Sequence, residues 1–266
     1  MPVFGNFRMA SANACAVDPH AANVTFRFRG NGASGGYPTI SDVGGVTWAY
    51  PDPARSSLSN AQTFWPNIYA TSLLSNGNGT LCNPLIGHIN TPYGPMITPG
   101  TNWSWMARLV VPFSSENVAS YIKMIGKGTV NLFDAYNTMG RIRMTISYQG
   151  TQVVGFDYTW PDPTGAGGVV SLIVPNVSFS SPSTPLYFEL LITRSGNNTY
   201  FFSNGVLVSS SNTGMASGAD IATTKIATGC DTNGGGGSAA FYLNDETIWN
   251  SCITTTSYTP AILPPC

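Results

Sequence analysis

The sequence predicts an all-β fold: a two-sheet antiparallel sandwich with long loops and extended terminal arms. Three observations carry that expectation. Hydrophobic residues alternate with a period of two along successive segments. The 3.6-residue periodicity of amphipathic helices is nearly absent. Gly, Pro and Asn interrupt the chain at short intervals, as turns between strands require. With 266 residues the chain is long enough to bury a large core without disulfide support. Hydrophobic residues are 42% and aromatics 12% at a net charge of -1, which points to a folded core rather than disorder.

Residues 1–16 are expected as an N-terminal arm, 17–260 as a single domain and 261–266 as a C-terminal tail. Val24, Phe26 and Phe28 face one way, with Thr25, Arg27 and Arg29 opposite. Trp103, Trp105, Ala107, Leu109 and Val111 form one face of a long strand, and Asn102, Ser104, Met106 and Arg108 the other. Ser114–Met124 is the longest helix-like window. Ile142, Met144, Ile146 and Tyr148 alternate with Arg141, Arg143, Thr145 and Ser147, and Val153–Thr159 and Val169–Val174 read as two more strands. Leu186, Phe188, Leu190 and Ile192 alternate with Tyr187, Glu189, Leu191 and Thr193. Both of those faces are largely apolar, so the strand is central. Thr199–Ser203, Asn204-Gly205 and Val206–Ser209 spell a hairpin, Asn-Gly supplying the two positive-φ residues of a type I′ turn. Ala239–Trp249 is a late strand. Loops are expected at Gly30–Gly36, Asn76–Thr80, Gly214–Gly218 and the glycine run in Asn233–Gly237, with loop excursions at Pro51–Ser59 and Pro161–Gly168.

Charged residues are only 9%, with 11 Lys and Arg scattered along the chain, so the basic stripe that phosphates demand is missing and no nucleic-acid partner is expected. A surface with so little charge suits a protein packed against neighbours. The first residues lack the basic start and apolar run of a secretory signal, and no stretch approaches the ~20 apolar residues of a membrane span. The expectation is synthesis in a cytoplasm and no membrane partner. Cys15, Cys82, Cys230, Cys252 and Cys266 include no zinc-type spacing and read as free thiols, with a Cys230–Cys252 bridge left open.

Chemistry is sparse. Cleaving a glycosidic bond needs two carboxylates about 5–10 Å apart. On one strand that means acids two apart on a shared face. Glu189 has Tyr187 and Leu191 there instead, and the adjacent Asp245 and Glu246 point to opposite faces. His20, in an Asp-Pro-His turn, and His88, in an apolar loop, have no nucleophile motif beside them. Asp231, Asn233 and Asp245, or Asn131 with Asp134, are the only clusters resembling calcium ligands. None has a recognised spacing, so neither metal nor cofactor is expected. No catalytic residue and no enzymatic activity are expected.

Several segments resemble, in order, a laminin-G-like, concanavalin A-like jelly roll found in tailed-phage virion proteins. VDPHAANVTFRFRGNG and TISDVGGVTW resemble its opening strand and loop. NWSWMARLVVPF is similar to its long central strand, and YIKMIGKG to the segment after it. LYFELLITRSGNNTYFFSNGVLV is the strongest match, to its strand, Arg-x-Gly, strand, Asn-Gly-Val hairpin. AFYLNDETIWN with TTTSYTP resembles its closing strand and tail. These pieces span most of residues 17–260; Tyr187 stands where that family often has His, and Leu85–Thr98 has no counterpart. The resemblance implies a non-enzymatic virion protein, foremost a capsid decoration or cement protein. It would be a homo-oligomer such as a trimer, with capsid or tail subunits as partners and its arms (Met1–Ala16 and Thr259–Cys266) laid across them. The other reading is a lectin-like tail or surface protein that binds a host glycan. Trp103 and Trp105 belong to the core. Trp48, Trp65 and Trp160, in less regular stretches, are the candidates for stacking on a glycan or burying in a subunit contact.

Overall fold

A computed structural model describes residues 17–30, 43, 47–49, 56–59, 72–75, 85–88, 102–111, 127–137, 140–149, 152–161, 169–175, 186–212, 225–228 and 241–260. Among them are a 3-10 turn, Ala21–Asn23, and the strands β1 (Val24–Arg29), β2 (Thr47–Ala49), β3 (Ser56–Ser59), β4 (Ser72–Ser75), β5 (Leu85–His88), β6 (Trp103–Val111), β7 (Lys127–Asn137), β8 (Gly140–Gln149), β9 (Gln152–Pro161), β10 (Val169–Pro175), β11 (Leu186–Ser195), β12 (Asn198–Ser203), β13 (Val206–Ser211), β14 (Lys225–Thr228) and β15 (Phe241–Trp249). No helix among these residues is long and apolar enough to cross a membrane.

The fold is all-β. Among the described residues all the strand pairs are antiparallel. One sheet has eight strands in the order β13-β12-β11-β6-β15-β4-β3, with β1 also paired to β15. The other has seven, in the order β10-β9-β8-β7-β14-β5-β2. The edge strands β10 and β13 approach one another.

Several segments depart from the sequence expectation. Ser56–Ser59, inside the expected excursion Pro51–Ser59, is a strand paired to β4. His88 lies in β5, not in a loop, opposite Lys225 and Thr47. Trp48 and Trp160 are strand residues rather than members of irregular stretches, and Pro161 closes β9. Short strands such as β4 and β14 carry too few residues for alternation to stand out, so pairing decides them. The helix-like window Ser114–Met124, the loops 31–36, 76–80, 214–218 and 233–237, and the arms 1–16 and 261–266 lie outside the described residues.

The described core centres on β6, which runs between β11 and β15. Their registers place Trp105 opposite Ile192 and Ile248, and Met106 opposite Leu191 and Thr247. Both faces of these strands are buried. The Trp105 face carries Trp103, Trp105, Ala107, Phe188, Leu190, Ile192, Phe201 and Ile248, all nearly inaccessible, with Phe26 and Phe28 from β1. Full burial of each large side chain stabilises by roughly 1.5–3 kcal/mol. Trp103 and Trp105 are core residues, as their alternation implied.

The opposite face carries Met106, Leu191, Phe202 and Trp249, against which Val24, Tyr200, Leu207, Ile253 and Tyr258 pack. Val24 therefore does not share a face with Phe26 and Phe28. The β1–β15 register shifts between Val24 and Phe26, an extra residue that re-aims one side chain.

The β12–β13 hairpin turns at Asn204 (φ 49°) and Gly205 (φ 79°), the two positive values a type I′ turn needs. β11 and β12 meet around Gly196, φ 57°. The buried Arg194 guanidinium donates to the Thr199 hydroxyl (3.0 Å) and to the Gly196 carbonyl (3.2 Å). Asn102 Oδ1 accepts from the Gly196 amide at 2.9 Å. The Arg-x-Gly pattern is thus a hairpin that binds its own arginine.

Candidate functional site

A cluster of ionisable side chains lies on the Met106 face. Strand registers bring them together from distant parts of the chain. Arg108 lies opposite Glu189 on one side and Asp245 on the other. Its Nε donates to Glu189 Oε2 at 2.6 Å and a terminal nitrogen donates to Asp245 Oδ2 at 2.5 Å. Both carboxylates are 1% exposed and Arg108 is 5% exposed. The second Glu189 oxygen accepts from the Tyr258 hydroxyl at 2.8 Å. The second Asp245 oxygen accepts from the Thr247 hydroxyl at 3.2 Å. Thr247 receives a long bond from Arg27 Nε (3.4 Å), and Arg27 in turn donates to Asp18 Oδ2 (2.8 Å), which also accepts from Trp249 Nε1 (3.2 Å). One polar chain thereby links the turn before β1, β1, β15, β6, β11 and the segment after β15.

The electrostatics follow from burial. Desolvation works against the Arg108 charge, but Glu189 and Asp245 outweigh it and hold the guanidinium above its ordinary value. Burial, reinforced by the Glu189 carboxylate, pushes the Tyr258 phenol far above its ordinary range, so it remains a donor. On the other face of β15, Trp105 Nε1 donates to Glu246 Oε1 at 2.8 Å. Asp245 and Glu246 do point to opposite faces, as expected.

Glu189 and Asp245 converge on Arg108 from two strands flanking a third, a meeting that alternation along any single strand does not reveal. A signal was there in principle. With charge so scarce, an Arg and a Glu each placed mid-strand among apolar residues are unlike solvent-facing charges. The arrangement neutralises and orients its members, and neither acid reaches solvent, which a carboxylate pair acting on a sugar would have to do.

Segment 250–260 closes this face without forming a strand. The Ser104 hydroxyl donates to the Ser251 carbonyl (2.8 Å) and accepts from the Ile253 amide (3.1 Å). The Leu207 amide donates to Ser257 Oγ (2.9 Å), and the Tyr258 amide to the Gly205 carbonyl (2.8 Å). The Tyr258 ring meets Phe202 edge-on at 5.7 Å. Thr259 and Pro260, expected in a terminal arm reaching for a neighbour, instead follow this course, and Pro260 abuts the Asn204–Gly205 turn.

The fold resembles those of solved receptor-binding domains. It overlays the receptor-binding domain of botulinum neurotoxin type G with a TM-score of 0.55 and 13% identity, over 87% of this chain and 49% of that one. Its fold is shared with about half of such a domain. The binding domain of Paraclostridial mosquitocidal protein 1 gives a TM-score of 0.56 at 13% identity, over 88% of this chain and 50% of that one. The botulinum serotype D ligand-binding domain, solved in complex with N-acetylneuraminic acid, gives 0.54 at 11% identity, over 87% and 48%. At these identities the likeness is one of fold. No protein-family model and no curated protein matches the chain.

Of the tryptophans singled out from the sequence, Trp48 and Trp160 lie on well-separated strands. Trp48 lies in edge strand β2 opposite Gly87, and Trp160 in β9 opposite Val170, in the same sheet. Five strand spacings separate them, roughly 24 Å at ~4.8 Å per strand. Trp65 lies outside the described residues.

Of the calcium candidates, Asp245 is engaged by Arg108, Asp134 pairs in register with Arg143, and Asp231 and Asn233 lie outside the described residues. Among the described residues no cluster of three or more His, Cys, Asp or Glu is placed to hold a metal ion. Cys252 is a free, half-buried thiol whose sulfur lies 3.2 Å from the Thr193 hydroxyl. Cys230, the other half of the bridge left open, is not described. His20 sits in the turn before β1, its amide bonded to Asp18 Oδ1 at 2.8 Å.

Proposed function

We propose that this chain is a non-enzymatic binding module that recognises a glycan-bearing surface. One observation carries the reading: nearly nine-tenths of the chain overlays domains whose solved structures are receptor- or ligand-binding domains, one of them holding N-acetylneuraminic acid. The chain spans about half the length of those domains, so their receptors are not transferred to it. The interior supports the same reading. Arg108, Glu189 and Asp245 are bound to one another there, which suits a rigid scaffold presenting its surface and loops. Trp48, Trp65 and Trp160 are the residues to test, and the wide separation of Trp48 and Trp160 makes them independent contacts rather than one cradle. A glycan array probed with the whole chain tests this, sialylated glycans included. Reproducible binding that is weakened by Trp48→Ala, Trp65→Ala or Trp160→Ala supports the reading. An array without a reproducible signal overturns it.

A second reading is favoured by composition and by the likeness to phage laminin-G-like domains. In it the chain is a virion structural protein made in a host cytoplasm, a capsid decoration or cement subunit or else a tail component, and self-associates. Charged residues at 9% leave little repulsion between packed copies. Binding only the assembled particle would stabilise it by mass action. Counting copies per particle tests this. Hundreds would indicate decoration of the capsid and a few dozen a tail component, while absence from particles removes the reading.

A further inference from the structure

The segment that follows β15 has two properties that rarely coincide. It covers an apolar floor, Met106, Leu191, Phe202 and Trp249, with Ile253 and Tyr258. Yet it belongs to no strand, and its ties to the sheet run largely through side chains. Ser104 holds Ser251 and Ile253, Ser257 holds Leu207, and Tyr258 reaches Glu189 with its hydroxyl and Gly205 with its amide. At its near end the Asn250 amide is fixed to the Asn23 carbonyl at 2.9 Å. A segment built this way has far fewer cooperative backbone bonds than the β6–β11 ladder beside it, which pairs nine residues in unbroken register.

We propose that Ser251–Pro260 is a strap that opens and closes as one unit against the first sheet, pivoting at Asn250, with the Tyr258 hydroxyl on Glu189 as its lock. The lock is strong because the acceptor is a buried carboxylate already held by Arg108, and because the phenol stays protonated. Opening exposes an apolar floor ended by a charged group while the sheet stays intact. The close fit at Gly205, where a Cβ would fall 2.2 Å from the Tyr258 carbonyl oxygen and 2.7 Å from Pro260 Cδ, sets the closed position.

Native-state hydrogen exchange on the whole chain reads this directly. The amides of Leu207, Ile253 and Tyr258 donate across the strap contact and report its opening, while amides of the β6–β11 ladder report the sheet. In the wild type the three strap amides should exchange together, through an opening much less sensitive to denaturant than that of the ladder. Tyr258→Phe should speed those three roughly ten- to hundredfold, the loss of one hydrogen bond to a charged acceptor, with the ladder unchanged. Strap amides that exchange only with the ladder, at the same denaturant dependence, would overturn the proposal. So would a Tyr258→Phe effect spread evenly over strap and ladder. Should that variant fail to fold, the wild-type denaturant series decides alone.

Discussion

Replacing Arg108 with methionine tests whether the buried charges act as one unit. Methionine fills much of the same volume but leaves Glu189 and Asp245, each 1% exposed, without the guanidinium that both accept from. Removing one partner of a buried ion pair costs about 3–5 kcal/mol, because the remaining charge is desolvated without compensation. Tyr258 and Thr247 still donate to the two acids, which keeps the cost within that range rather than doubling it. At roughly 2–4 °C per kcal/mol for a domain approaching this size, the melting temperature should fall by about 6–20 °C. The companion variant adds Glu189→Gln and Asp245→Asn. Their carbonyl oxygens can still accept from Tyr258 and Thr247, but the stranded charge is gone, so most of the loss should return. Thermal melts followed by near-ultraviolet circular dichroism compare the three proteins. If the single variant melts within a degree or two of the wild type, or the triple variant melts no higher than the single, the cluster is not the coupled unit described here.

Other substitutions discriminate among the contacts. Gly205→Ala should destabilise by more than Gly196→Ala: both have positive φ, but only at Gly205 does the new methyl collide with backbone, whereas nothing lies within 4 Å at Gly196. About 1–2 kcal/mol is expected at Gly196 from the left-handed backbone alone and clearly more at Gly205, read from urea midpoints. Trp105→Phe removes the donor to Glu246 and leaves a void beside Ile192 and Ile248, so a loss of about 2–4 kcal/mol is expected in the same assay. The raised Tyr258 phenol gives a pH signature. Above pH ~10 the unfolded chain releases this proton while the folded chain keeps it, so stability falls by about 1.4 kcal/mol per pH unit from this group alone. That slope should vanish in Tyr258→Phe, and the gap between wild type and variant should narrow from pH 10 to 11. A gap that widens over that range would contradict the assignment.

Most of the long strands were readable because each has enough alternating residues to declare a face, but the longest, β7 (Lys127–Asn137), was not, because its register shift between Asn131 and Phe133 breaks the alternation. The hairpin around Asn204-Gly205 was readable because its turn chemistry is local. β3, β4, β5 and β14 were not, since four residues are too few to establish a period. Each exists because a neighbouring strand supplies its hydrogen bonds. The shift between Val24 and Phe26 was equally invisible, because an extra residue in one strand is defined only against its partner. The charge cluster failed to show for a related reason. Arg108, Glu189 and Asp245 lie 81 and 137 residues apart in contacts that only sheet order creates. Trp103 and Trp105 could be assigned to the interior from their own strand, whereas no local pattern around Trp48 or Trp160 indicated that both belong to paired strands.

The position of β15 has a consequence for how the molecule comes into being. It fills the slot between β6 on one side and β4 and β1 on the other. Thr25 meets Ile248 across 223 residues of chain. During synthesis, then, β1 emerges long before the strand it must lie against. Its Phe26 and Phe28 have to wait uncovered, or shelter temporarily with a chaperone, until β15 has been made. Maturation should therefore be slow and concentration-sensitive, and nascent chains stopped short of Phe241 should be prone to aggregate.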